Sequence, residues 1–157
     1  MKKINPAHVA LAVFTIFAFL LFSIVPPPPQ MELMDTQETS PVVLGVFEGT
    51  TLCADCPGII TRLTLTQYGA SYAEGTYELS LTYIDRDVEP YVQEGIWTTE
   101  RGMPADADAT VYVLDPDRVE GSQRYVKKSD TSIRLLNQDG TEIDASLPFT
   151  LTRIDAE

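Results

Sequence analysis

From Val42 onward, hydrophobic and polar residues alternate over short segments that are separated by turn-forming residues. In the clearest segment, Ile59, Thr61, Leu63 and Leu65 fall on one face and the residues between them on the other. A period of two residues is typical of a β-strand with one buried face. Comparable segments predict about eight strands: VVLGVFEGT, IITRLTLTQ, GTYELSLTYI, YVQEGIWTT, ATVYVLD, QRYVKK, SIRLLN and LPFTLTRI.

Consecutive short strands without a helical pattern between them predict antiparallel pairing, in either a barrel or a sandwich. We favour a small barrel, because closure removes the exposed strand edges of a domain of roughly 110 residues. The sequence therefore predicts an all-β, antiparallel barrel domain over residues 42–157. Trp97 is expected to fill the interior of this barrel.

Residues 1–25 show a different pattern, since Val9–Val25 contains no charged side chain. A helix from Pro6 to Val25 would be about 30 Å long, the thickness of a bilayer core. Lys2 and Lys3 favour an orientation with the amino terminus inside the cell. We predict a signal-anchor or transmembrane helix of a single-pass membrane protein, with the carboxy-terminal domain on the extracytoplasmic side. An uncleaved anchor is favoured over a removed signal peptide, because the small residues of a cleavage site are missing.

Residues 26–41 are predicted to form a proline-rich tether between the helix and the barrel. Four consecutive prolines, Pro26–Pro29, favour an extended start, and the residues that follow show no clean period.

The charge of the chain limits its function. A formal net charge of −12 over 157 residues argues against nucleic-acid binding, which requires clustered Lys and Arg. The sole histidine, His8, lies in the predicted anchor, so the barrel domain offers no serine–histidine pair. We expect no enzyme.

The stretch DADATVYVLDPDRVE, which includes the fifth predicted strand, gathers Asp106, Asp108, Asp115 and Asp117. The carboxylate spacing of an EF-hand calcium loop is missing. This run is expected to be a solvated acidic loop.

The two cysteines of the chain, Cys53 and Cys56, are separated by two residues in the stretch TTLCADCPGII. A thioredoxin-type redox enzyme is disfavoured, because such a pair precedes a helix whereas a strand follows Cys56 here. A closed zinc site is also disfavoured, because it normally needs four Cys or His ligands.

Three interpretations of the cysteine pair stay open: a metal site, a disulfide and a pair of inert thiols. Cu(I) is soft and accepts few ligands, so Cys53 and Cys56 could bind it together, with Met103 as a remote additional ligand. A Cys53–Cys56 disulfide is favoured if the domain faces an oxidising compartment. A bridge over so short a loop contributes little entropic stabilisation, which suits a switch or a local clip.

The stretch FEGTTLCADCPGIITRLTL closely resembles the NlpE N-terminal domain family, associated with copper resistance and envelope stress sensing. The resemblance continues through GTYEL, EGIWTT and RYVKKSDTSIRLLNQDGTEI. It implies a small lipocalin-like barrel without enzymatic activity, in which Cys53 and Cys56 serve copper handling or redox sensing. It also implies an envelope signalling or redox protein as partner. The chain lacks the lipid-bearing cysteine of the family, so we expect the helical anchor to take its place.

The alternative that we retain is a lipocalin-like module that binds a ligand or a protein. In that case the cysteines would form a structural disulfide that only clips their loop. A roomy apolar interior would favour this alternative, and a packed interior would disfavour it.

Overall fold

The computed structural model describes residues 40–69, 73–118 and 120–154. The predicted membrane helix, residues 1–25, and all but the last two residues of the predicted tether, 26–41, lie outside this part of the chain. Within the described ranges, we find no helix of the length and apolarity that crossing a bilayer requires.

The described chain forms a closed antiparallel barrel of eight strands, in which each strand pairs with the next and the last strand pairs with the first. This confirms the prediction of an all-β barrel. The strands are β1 (Pro41–Thr51), β2 (Ile59–Tyr68), β3 (Glu74–Tyr83), β4 (Tyr91–Met103), β5 (Asp106–Leu114), β6 (Gln123–Ser129), β7 (Ser132–Leu135) and β8 (Thr150–Ile154).

The interior of the barrel is packed by the inward residues that the alternating pattern indicated. Leu63 and Leu65 of β2 are fully buried, as the pattern of that strand predicts. Trp97 is also fully buried, and its ring meets that of Tyr112 edge to face at 5.6 Å between centroids. The indole Nε1 donates a hydrogen bond to the carbonyl of Thr66 at 3.1 Å. Trp97 thus fills the interior as expected.

The acidic run is not the solvated loop that the sequence suggested. β4 extends to Met103 and β5 begins at Asp106, so a tight turn replaces most of the expected connection. Asp106 and Asp108 belong to β5, whereas Asp115 follows the other end of that strand and is buried. The prediction was wrong because cross-strand pairing continues through polar residues whose side chains face solvent.

A second hydrophobic cluster lies against the outside of the wall formed by β5 and β6, since its members from these two strands alternate with inward residues. It consists of Ala109, Val111, Val113, Val126 and Leu136, with Met103 packed against it.

A buried guanidinium organises the segment that connects β7 to β8. Arg134 donates to the carbonyls of Ile143, Asp144 and Leu147 and to the hydroxyl of Thr150. Because these neutral acceptors surround the charge, the connection is folded around Arg134.

Four connections meet at one end of the barrel, which we call the CxxC end. Antiparallel pairing brings together residues 52–58 between β1 and β2, 84–90 between β3 and β4, 115–122 between β5 and β6, and the two ends of 136–149 between β7 and β8. The middle of this last connection folds back along the barrel, where Glu142 pairs with Lys128 near the opposite end of β6 at 2.8 Å. The first of these connections carries both cysteines.

Candidate functional site

The CxxC loop, residues 52–58, is held at its base by the two strands that it joins. Thr51 at the end of β1 and Thr61 in β2 bring their hydroxyl oxygens within 2.9 Å of each other. Gly58 allows the loop to close, because a Cβ at this position would lie only 2.7 Å from Cγ2 of Thr50. The loop therefore starts and ends on rigid strands, although its central residues are exposed.

Cys53 and Cys56 form a disulfide, with an S–S distance of 2.04 Å and a Cα–Cα distance of 5.3 Å. Sγ of Cys53 lies 3.6 Å from Oδ1 of Asp55, and Sγ of Cys56 lies 3.3 Å from the carbonyl oxygen of Gly58. A disulfide sulfur carries no hydrogen, so these are contacts and not hydrogen bonds in the oxidised state. After reduction, each thiol would lie within reach of a hydrogen-bond acceptor, Oδ1 of Asp55 for Cys53 and the carbonyl oxygen of Gly58 for Cys56.

Asp55 adds an oxygen donor to the two sulfurs. The ligand atoms of Cys53, Asp55 and Cys56 all lie within 4.8 Å of one another. Two thiolates and one carboxylate are a reasonable donor set for a soft or borderline metal, once the disulfide is reduced. Met103 is not part of this group, because β4 runs away from the CxxC end and places Met103 at the opposite end of the barrel.

Arg86 from the connection between β3 and β4 contacts the CxxC loop. Its Nη2 lies 2.5 Å from Oδ2 of Asp55 and donates to the backbone carbonyl of the same residue at 3.3 Å. The guanidinium also lies over the ring of Tyr83, 5.8 Å from its centroid. A backbone hydrogen bond of 3.0 Å from Ile84 to Gly58 joins the two connections further.

A small cavity opens on one side of the CxxC end, with a volume of about 120 Å³. Its lining is mostly apolar and includes Thr51 and Ile59, the residues that flank the CxxC loop, together with Leu81, Leu135, Phe149 and Leu151. The hydroxyl of Tyr125 donates to Gln123 at 2.9 Å at the same cavity. This space is far smaller than the cavities of roughly 300 Å³ and more that enclose drug-sized ligands.

The other side of the CxxC end contains a polar cluster around the buried carboxylate of Asp115, which we call the buried corner. Tyr77 is also buried, Gln93 is half-buried, and Arg118 is exposed. The Tyr77 hydroxyl donates to Oδ2 of Asp115 at 2.9 Å, and Nε2 of Gln93 donates to both groups, at 2.7 and 3.1 Å. Arg118 completes the corner at 3.2 Å from Oδ2 of Asp115. The carboxylate therefore has a partner for its charge and two further donors.

Gly95 makes room for the buried corner. A Cβ on this residue would lie 2.1 Å from Oδ1 of Asp115 and 2.8 Å from Cε1 of Tyr77. Sequence reasoning missed this role, as it missed Asp115 and Arg86. The one available signal for Arg86 was a single basic residue between Asp85 and Asp87 in an acidic chain.

Two buried tyrosines at the CxxC end hold their protons strongly. Burial, followed by the hydrogen bond to Asp115, raises the pKa of Tyr77 to about 12. Burial also raises the pKa of Tyr125 well above its usual range. Both side chains are therefore neutral hydrogen-bond donors at physiological pH.

Comparison with known proteins gives one match. The family model described as the NlpE N-terminal domain matches residues 47–146, a range that includes the CxxC loop, Arg86 and the buried corner. No curated protein and no solved structure gives a significant match.

Proposed function

Because the chain belongs to the NlpE N-terminal domain family, we propose that it is a non-enzymatic protein of copper handling and envelope redox or stress sensing. The Cys53–Cys56 pair is its functional site. The observation that carries the proposal is the position of this pair on an exposed loop, fixed between two strands of a closed barrel.

The redox step requires a reductant, for which a dithiol of an envelope protein is the appropriate class. One thiolate of that dithiol attacks one sulfur of the Cys53–Cys56 bond, and its second thiol releases the resulting mixed disulfide. Two electrons and two protons pass to Cys53 and Cys56, and the dithiol becomes a disulfide. The reduced sulfurs can then bind Cu(I) as thiolates, with release of their protons.

The proposal includes location and partners. Residues 1–25 anchor the chain in the cell membrane as a single-pass helix, and the barrel lies on the extracytoplasmic side, where a disulfide is stable. The partner is an envelope signalling or redox protein. The acidic surface, with a net charge of −12, supports the absence of a nucleic-acid partner.

Copper binding is tested by titrating Cu(I) into the reduced full chain against a competing chelator. Cys53→Ser and Cys56→Ser are each expected to weaken Cu(I) binding by more than about 100-fold. Replacing a residue that only hydrogen-bonds a metal ligand already lowers metal affinity by about 10- to 100-fold, and these variants remove a ligand itself. Thr131→Ser, at the opposite end of the barrel, is the control and should leave the affinity unchanged. Equal affinities for the wild type and the double cysteine variant would disprove the copper role.

Location is tested separately in intact cells. A thiol reagent that does not cross membranes should label Cys53 and Cys56 after mild reduction, and the chain should fractionate with the membrane. Labelling only after the cells are broken open would contradict an extracytoplasmic barrel.

A second candidate function is the binding of a small apolar molecule, supported by the cavity of about 120 Å³ beside the CxxC loop. A larger cavity of about 150 Å³ binds benzene or xenon, so this space suits an apolar ligand no larger than these, and xenon is the appropriate probe. Dissolved xenon should show a shifted and broadened xenon NMR signal with the full chain, and Ile59→Trp, which would occupy the cavity, should abolish the change. An undiminished change in that variant would exclude this site.

A further inference from the structure

The two carboxylate oxygens of Asp55 face different partners. Oδ1 lies 3.6 Å from Sγ of Cys53, within the group of potential metal ligands. Oδ2 is paired with the guanidinium of Arg86 at 2.5 Å. The carboxylate that the CxxC loop can add to its two sulfurs is therefore already paired with a cation through one of its oxygens, Oδ2.

Arg86 is positioned by more than its charge. Its guanidinium also donates to the backbone carbonyl of Asp55 and lies over the ring of Tyr83. The hydrogen bond from Ile84 to Gly58 keeps the two connections in register. The pair differs in this respect from an ordinary surface ion pair, in which a long side chain is ordered by a single contact.

The surroundings of Arg86 are strongly acidic. The four connections of the CxxC end contain two arginines, Arg86 and Arg118. Three of these connections, residues 52–58, 84–90 and 115–122, carry the carboxylates Asp55, Asp85, Asp87, Glu89, Asp115, Asp117 and Glu120. Arg118 is committed to Asp115. Without Arg86, the negative field around the cysteines would favour a divalent cation.

We propose that Arg86 determines which metal the reduced cysteine pair selects. By pairing with Oδ2, it offsets the charge of the Asp55 carboxylate and makes Oδ1 a weaker ligand, so the two sulfurs dominate a donor set that suits soft Cu(I). When Arg86 is removed, Asp55 becomes a stronger third ligand, and two thiolates with a carboxylate suit Zn²⁺, which binds sulfur and oxygen together. Arg86 is thus a specificity-determining residue, and this inference rests on the proposed function of the same pair.

The test compares the affinities of the reduced full chain for Zn²⁺ and for Cu(I), each measured by competition with a chelator. Arg86→Gln is expected to raise the affinity for Zn²⁺, because the negative charge of Asp55 is then uncompensated. We expect about tenfold, which is the smallest change typical when a group that hydrogen-bonds a metal ligand is replaced. The affinity for Cu(I) should stay the same or fall. Arg86→Lys, which keeps a positive charge opposite Asp55, should retain most of the wild-type preference.

Two further variants show whether the effect passes through Asp55. The gain in Zn²⁺ affinity should disappear in the double variant Arg86→Gln, Asp55→Asn, because the third ligand is then missing. Arg101→Gln removes an exposed arginine that is paired with Asp108 at the opposite end of the barrel. It serves as the control for net charge and should not change the metal preference.

The possible results separate this inference from the function on which it rests. If the wild type binds Cu(I) through its cysteines but Arg86→Gln leaves the Zn²⁺ affinity unchanged, the role of Arg86 is disproved and the copper function stands. If the wild type does not bind Cu(I), the proposed copper function is disproved, and with it the inference that rests on that function. A gain in Zn²⁺ affinity that persists in the double variant would also overturn the inference, since Asp55 would not be the added ligand.

Discussion

Two carboxylate–arginine pairs lie at the same end of the barrel and differ mainly in the burial of the carboxylate. The side chain of Asp115 is 8% exposed, whereas its partner Arg118, three residues away in the chain, is largely exposed. The side chain of Asp55 is 73% exposed, and its partner Arg86 comes from another connection. Burial makes Asp115 part of the fold, because removing its carboxylate would leave the Tyr77 hydroxyl without its acceptor. Exposure makes the second pair replaceable, so that it can tune the chemistry of the neighbouring sulfurs at little cost to stability.

The comparison is tested most severely by Asp115→Ala. We expect the free energy of unfolding to fall by about 3 kcal/mol, because the Tyr77 hydroxyl and the Gln93 amide lose a charged acceptor in a buried position. The left-handed backbone of Asp115, at φ 48°, adds strain for alanine. Urea unfolding followed by the fluorescence of Trp97, the single tryptophan, measures the change. Asn adopts the left-handed backbone more readily than Ala, so Asp115→Asn should lower the free energy of unfolding by less than Asp115→Ala does. If the two variants lose the same amount, the whole effect comes from the missing negative charge.

Removal of the disulfide should have an intermediate effect. The double variant Cys53→Ser, Cys56→Ser is expected to lose about 2 kcal/mol or less, because the bridge closes a very short loop and constrains the unfolded chain little. The same unfolding experiment measures this loss. A loss greater than that of Asp115→Ala would show that the CxxC loop is a staple of the fold, contrary to its proposed role as a switch.

Alkaline pH should affect the buried corner. The pKa of Tyr77 is raised to about 12 in the folded state, so its proton is lost from the unfolded chain first. Its contribution to stability is complete below about pH 10, declines by about 1.4 kcal/mol per pH unit above that, and is lost as the pH passes 12. Unfolding free energies measured between pH 8 and 11.5 should therefore fall less steeply in Tyr77→Phe than in the wild type. Tyr68→Phe, which removes an exposed hydroxyl, is the control and should match the wild-type slope.

The smallest effect is expected for the exposed pair. Asp55→Ala and Arg86→Gln should each change the free energy of unfolding by no more than about 0.5 kcal/mol. The measurement is the urea unfolding curve of the oxidised chain. A loss as large as that of Asp115→Ala would remove the contrast between the two pairs and would make Arg86 a structural residue.

The strands were predictable because alternation is a local property. In β2 the inward residues Leu63 and Leu65 could be identified from their spacing, and Trp97 could be identified as an interior residue. The cysteine pair was equally evident, since two residues separate its members. The expected solvated acidic loop failed at Asp115, because composition alone does not distinguish a carboxylate in water from one that meets a buried hydroxyl.

Arg86 and the buried corner could not be predicted, because their partners are distant in sequence. Arg86 is 31 residues from Asp55, and Tyr77 is 38 residues from Asp115. The contact between Asp55 and Arg86 depends on the register of β2 against β3, which joins Ile59 to Tyr83. The contact between Tyr77 and Asp115 depends on two further pairings, of β3 with β4 and of β4 with β5.

The sequence by itself determined that this chain forms strands, which of their faces are apolar, and that two sulfurs lie three positions apart. Its composition determined the acidic surface. Only the tertiary structure decided which aspartate is buried and which is paired over the cysteines. The reason is physical: strand faces follow from the two-residue repeat of the extended backbone, whereas the surroundings of a charge are set by strands that meet only when the barrel closes.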